Sequence, residues 1–172
     1  MLFSNKLQNH VLEFQKAFGH PYSEKPTPVE LERITNRQKW GSIEEAVELL
    51  HASSTNDEEF LVAVDTLKQG IENAVAKEIQ KPYPTTDEER IIAQADAIAD
   101  KLYFDFGDAV ELGVDIEKVF DIVQQANMSK LFVDEEGRKF AKYTPEGKVL
   151  KSPNFFPPED RIKEEVLRQL SK

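Results

Sequence analysis

Glu58-Glu-Phe-Leu-Val-Ala-Val-Asp-Thr-Leu-Lys-Gln-Gly-Ile-Glu-Asn-Ala-Val-Ala-Lys-Glu-Ile-Gln80 carries apolar residues at Leu61, Val64, Leu67, Ile71, Val75 and Ile79. Steps of three and four residues return these side chains to one side of an α-helix. The spacing predicts a helix from about Glu58 to Gln80, with turn chemistry at Ser53 to Asp57 before it and Pro82 and Pro84 after it.

The same period recurs on both sides. Towards the C-terminus, Thr86 with Glu89 is a capping-box pattern for a helix through Ile91, Ala95, Ile98, Leu102, Phe106 and Ala109, ended by Gly113. Asp115 is the expected N-cap of a further helix with Ile116, Val119, Phe120 and Val123 on its face, ending near Lys130. Towards the N-terminus, Thr27 and Pro28 read as the N-cap and first position of a helix running to about His51. Leu7, Val11, Phe14 and Phe18 predict a first helix, stopped by Gly19 and Pro21.

After Lys130 the pattern changes. Thr144-Pro-Glu-Gly147 fits a type I turn, which Phe140 to Tyr143 and Lys148 to Lys151 would flank as a small hairpin. Ile162, Val166 and Leu170 mark a short last helix. The expected fold is all-α: a four-to-five-helix bundle with a small C-terminal hairpin or loop extension and a short terminal helix. The expected organisation is one helical domain over residues 1–130 with residues 131–172 as an extension packed on the same domain.

Composition narrows the function. The 172 residues carry 22 Lys and Arg against 32 Asp and Glu, a net charge of −10. That charge argues against a broad nucleic-acid-binding face and against anionic membranes. A small anion remains admissible where a metal or a local basic pocket supplies positive charge. There is no cysteine, which removes disulfides, zinc-thiolate sites and a cysteine nucleophile. No apolar run reaches membrane-spanning length, and the N-terminal residues are too polar for a signal-peptide core. The expected location is cytoplasmic.

Two acidic clusters stand at helical spacing. Glu48 neighbours both Glu44 and Glu45, and Asp96 stands four residues before Asp100. Like charges so close repel, and a divalent cation removes that cost. Two such clusters facing each other would make an oxygen-rich cage for Mg²⁺. The alternatives are a solvated acidic face for the glutamates and Lys or Arg partners for the aspartates. Glu48-Leu-Leu-His51 is a Glu-x-x-His unit, but di-iron bundles need two copies and no second exists. An all-oxygen set suits Mg²⁺, with Mn²⁺ as the alternative. Asn127 and Lys130 can point the same way, towards a phosphate, or Lys130 serves only the helix C-terminus. Arg33 and Arg37 reach phosphates or pair with nearby acids, and Trp40 stacks on a base or fills core.

These residues resemble the MazG-like, all-α nucleoside triphosphate pyrophosphohydrolases, including their phosphoribosyl-ATP pyrophosphohydrolase-like branch. The resemblance is carried by Glu44-Glu-Ala-Val-Glu48, Asp96-Ala-Ile-Ala-Asp-Lys-Leu-Tyr103, Gly113-Val-Asp115 and Asn127-Met-Ser-Lys130. Phe14-Gln-Lys-Ala-Phe-Gly19 and Gly147-Lys-Val-Leu-Lys151 add to it, so it covers most of the chain. The family pattern is Glu-Glu-x-x-Glu followed by Glu-x-x-Asp. The first half matches; in the second, Ala97 stands where glutamate is expected, with Asp96 one residue earlier.

The resemblance implies Mg²⁺-dependent hydrolysis of a nucleoside triphosphate between the α and β phosphates, in a house-cleaning role on ribo- or deoxyribonucleotides. It implies Glu44, Glu48, Asp96 and Asp100 as metal ligands and Glu45 as general base. Arg37, Asn127 and Lys130 are then substrate-binding residues. It also implies a homodimer or homotetramer. The alternatives are phosphoribosyl-ATP cleavage and a non-enzymatic helical interaction protein.

Overall fold

The computed structural model describes residues 2–171. Its helices are α1 (Lys6–Ala17), α2 (Leu31–Arg37), α3 (Ile43–Ser53), α4 (Asp57–Glu78), α5 (Asp87–Leu112), α6 (Ile116–Met128) and α7 (Glu159–Leu170). A π-helical turn, Gln38–Ser42, joins α2 to α3. The protein is all-α, and its C-terminal extension holds a two-stranded antiparallel pair, β1 (Phe132–Val133) and β2 (Lys139–Phe140).

The stripe from Leu61 to Ile79 is helical as its spacing predicts, and Asn56 caps α4 by accepting the Glu59 N–H at 3.0 Å. The capping box of α5 also forms. Thr86 Oγ1 accepts the Glu89 N–H at 3.2 Å, and Glu89 Oε2 accepts the Thr86 N–H at 3.2 Å. Gly113, at φ +71°, ends α5 in the left-handed conformation that suits glycine.

Three local expectations are corrected. The second helix starts at Leu31, with Glu30 rather than Thr27 at its N-cap position. It is not one regular helix to His51, because the π turn interrupts it around Gly41. Each i→i+5 closure takes up an extra residue and rotates α3 relative to the register that a continuous 3.6-residue period would impose. Asp115 occupies the N-cap position of α6 without a side-chain cap; its N–H instead donates to Gln169 Oε1 of α7 at 2.7 Å.

The expected turn at 144–147 is present, with Gly147 at φ +84° donating to the Thr144 carbonyl at 2.9 Å and a Tyr143–Val149 bridge beside it. The β1–β2 pair was not expected. Asp134 organises its turn, accepting from the backbone N–H of Arg138 at 2.8 Å and from its guanidinium at 2.7 Å.

The chain divides into two compact units. One comprises the residues up to Lys25 together with those from Asp100 onward; the other is Pro26–Ala99. The first contains the buried residues Leu12, Phe18, Ala109, Gln124, Ala126, Leu131 and Ser152. There α1 lies along α6, tied by Lys6 to Glu117 at 2.8 Å and to Asp121 at 2.7 Å. The Tyr143 hydroxyl donates to the Phe18 carbonyl, which fastens the extension to the end of α1.

The second unit has no buried residue among those described. On α4, Leu61, Val75 and Ile79 are 60, 59 and 64 % exposed. Its segments meet through half-buried side chains such as Val47, Leu50, Phe60 and Leu67, and through a polar tie. Gln94 of α5 donates to the Val29 carbonyl and accepts the Val29 N–H, both at 2.9 Å, so it behaves like one rung of a backbone ladder.

Candidate active site

Glu44 and Glu45 lie in the first turn of α3, with Glu48 one turn further on. The helix N-terminus carries partial positive charge, so the first two glutamates sit where carboxylates are favoured. Asp96 and Asp100 lie four residues apart on α5, and Gln94 pins that helix to the chain entering α2 just two residues before Asp96.

All five carboxylates are exposed, although apolar residues flank them in the sequence. Ala46, Val47 and Leu50 turn to the less exposed side of α3, while the glutamates take the outer side. Among the described residues, none of the five forms an ion pair. Nor do three His, Asp or Glu side chains converge among them on a point that could hold a metal ion. The donor chemistry fits a hard cation: five carboxylates, each with free lone pairs and no competing ammonium or guanidinium. The structure places them in two groups, one on α3 and one on α5.

His51, the histidine of the lone Glu-x-x-His unit, packs edge-on against Phe60 with ring centroids 5.2 Å apart. That is a packing role between α3 and α4. Arg37 lies exposed in the last turn of α2. Trp40, on the π turn, is 66 % exposed, so it does not fill core; the Lys39 ammonium sits 4.7 Å from its ring centroid.

Asn127 and Lys130 do come together at the end of α6, where Lys130 Nζ donates to Asn127 Oδ1 at 2.7 Å. Burial, and then the nearby Lys151 ammonium, pull the Lys130 ammonium below its ordinary value. Lys151 belongs to the extension and was not among the expected site residues. Its signal in the sequence is the Gly147-Lys-Val-Leu-Lys151 stretch of the family resemblance, which assigns Lys151 no role.

Residues 11–127 match the family model described as phosphoribosyl-ATP pyrophosphohydrolase. No curated protein matches the chain. Among solved structures, a candidate NTP pyrophosphohydrolase from Exiguobacterium sp. 255-15 is similar at 39 % identity. The match covers 97 % of each chain, with a TM-score of 0.89. The likeness therefore extends through the C-terminal extension, whereas the family model ends before it.

Proposed function

From the premise that the chain belongs to the phosphoribosyl-ATP pyrophosphohydrolase family and is a pyrophosphohydrolase, we propose that it cleaves nucleoside triphosphates between the α and β phosphates. The products are a nucleoside monophosphate and pyrophosphate. The observation that carries this reading is the pair of unpartnered carboxylate groups on α3 and α5, both inside the matched residues 11–127. A pyrophosphohydrolase acts on a highly charged anion, and in a chain of net charge −10 a bound cation or a local basic pocket must supply the positive charge that receives it.

Mg²⁺, or Mn²⁺ in its place, is the proposed cation, and when bound it neutralises phosphate oxygens and orients water. Glu44, Glu48, Asp96 and Asp100 are its proposed ligands. Glu45 is the proposed general base: it takes a proton from water as that water attacks one of the phosphorus atoms flanking the α–β bridging oxygen. The P–O bond to the leaving group breaks with its electron pair. Lys130, oriented by Asn127, offsets charge on the phosphate chain, and Arg37 is a second candidate for that work.

A homodimer or homotetramer is also proposed, supported by the exposed apolar stripe of α4. Each buried Leu, Ile or Val side chain gains about 1.5–3 kcal/mol over its exposed state. Several such side chains on one helix favour a second copy strongly. Binding of nucleic acid and of membranes is not proposed, given the charge; among the described residues no helix is long and apolar enough to cross a membrane.

The family name favours a second substrate, phosphoribosyl-ATP, which shares the same phosphate chemistry. The test is a panel of ribo- and deoxyribonucleoside triphosphates plus phosphoribosyl-ATP, scored for pyrophosphate release with Mg²⁺ and Mn²⁺. Release from at least one ordinary triphosphate is expected. Release from phosphoribosyl-ATP alone transfers the assignment to the second substrate, and release of orthophosphate instead overturns α–β cleavage.

A further inference from the structure

Hydrogen bonds between Ser129 and residues 152–156 fasten the C-terminal extension to the end of α6. Ser152, buried, donates its hydroxyl to the Ser129 carbonyl at 2.8 Å, and Ser129 Oγ accepts the Phe156 N–H at 3.3 Å. The Asn154 N–H donates back to Ser152 Oγ at 3.1 Å, which fixes the loop on its serine. Ser129 precedes Lys130 and Ser152 follows Lys151, so this knot brings the two lysine-bearing stretches together, near enough for the Lys151 charge to act on Lys130. Each ammonium is restrained, Lys130 by Asn127 Oδ1 at 2.7 Å and Lys151 above the Phe155 ring at 4.4 Å. Among the described residues neither pairs with a carboxylate, although acids outnumber bases in the chain.

Two restrained ammonium groups without a counter-ion repel each other, and an anion with several closely spaced charges relieves the repulsion. We propose that Lys130 and Lys151 together clamp the phosphate chain of the substrate, the C-terminal extension supplying the second lysine. The lowered Lys130 ammonium, to which Lys151 contributes, agrees with this closeness. The clamp rests on the proposed reading of Lys130 as a phosphate-binding residue. It adds Lys151, which lies beyond the residues matched by the family model.

The test uses the full chain and inorganic tripolyphosphate without divalent metal, so that binding reads the lysines and not a metal site. Lys151→Ala should raise the tripolyphosphate dissociation constant about tenfold, the worth of one charge-assisted hydrogen bond. Lys151→Arg should stay within about twofold of the parent, since it keeps the charge. Lys151 is exposed, and an unchanged melting curve establishes that both variants fold. On a cleaved triphosphate, Lys151→Ala should raise KM by a similar factor with kcat nearly unchanged. Tripolyphosphate binding and KM both unaltered in an active Lys151→Ala variant overturn the clamp and leave the enzymatic reading standing. Loss of binding on Lys151→Ala, in a parent protein that cleaves no nucleotide, upholds the anion site and overturns the enzymatic reading.

Discussion

At the level of single residues, charge decides most of what can be tested. Removing a positioned general base typically costs about 10²–10⁴-fold in rate, so Glu45→Gln should lower kcat by that order with little change in KM. Glu48→Gln should abolish activity while the protein stays folded, because Glu48 is exposed and packs no core. Circular dichroism and pyrophosphate release together check both variants, and full activity in Glu48→Gln would remove it from the ligand set. Lys6 offers a test away from the site. Hydrogen bonds from its ammonium to Asp121 and Glu117 hold Lys6 above its ordinary value, and Lys6 holds Glu117 below the usual carboxylate range. The share of stability from Glu117 is therefore full above its unfolded value and fades as pH falls through its lowered folded value. The share from Lys6 is full below its unfolded value and fades as pH rises through its raised folded value. Lys6→Met should thus melt below the parent at neutral pH, with the gap closing in acid as Glu117 protonates. A gap independent of pH would contradict the tie.

At the level of elements, local rules hold where the interacting residues stand a few positions apart. Thr86 and Glu89 close the capping box their spacing announces, and Thr86→Ala should cost about 1 kcal/mol in urea unfolding. A cost near zero would mean that α5 frays there in solution. The π turn had no comparable signal. Trp40-Gly-Ser42 reads as passable helix, yet the bonding pattern shifts there and turns Trp40 outward at 66 % exposure. Asp115 shows the same limit. Its residue type favours an N-cap, but Gln169, distant in sequence, captures its N–H, and no rule of local spacing could announce that. Gln94 is the clearest case: a glutamine on an otherwise ordinary helix provides both hydrogen bonds to Val29.

At the level of the whole molecule, exposed apolar surface bears on assembly. The residues Pro26–Ala99 have no buried side chain among those described, yet α4 carries a regular stripe of Leu, Ile and Val. Self-association through that stripe should appear in sedimentation velocity as a dimer or tetramer. Val75→Glu should raise its dissociation constant at least tenfold, about the effect of losing one buried apolar contact. A parent that sediments as a monomer at micromolar concentration would remove the proposed oligomer. The sequence by itself determined the helices apart from the break between α2 and α3, most of their ends, the 144–147 turn and the two acidic groups, because periodicity, caps and turn residues act over a few positions. Only the tertiary structure decided that the glutamates of α3 lie outward, that Gln94 holds Val29, and that Ser129 and Ser152 bring Lys151 near Lys130. Those outcomes depend on which segments meet in space, and residues 23 apart or 65 apart leave no periodic trace of meeting.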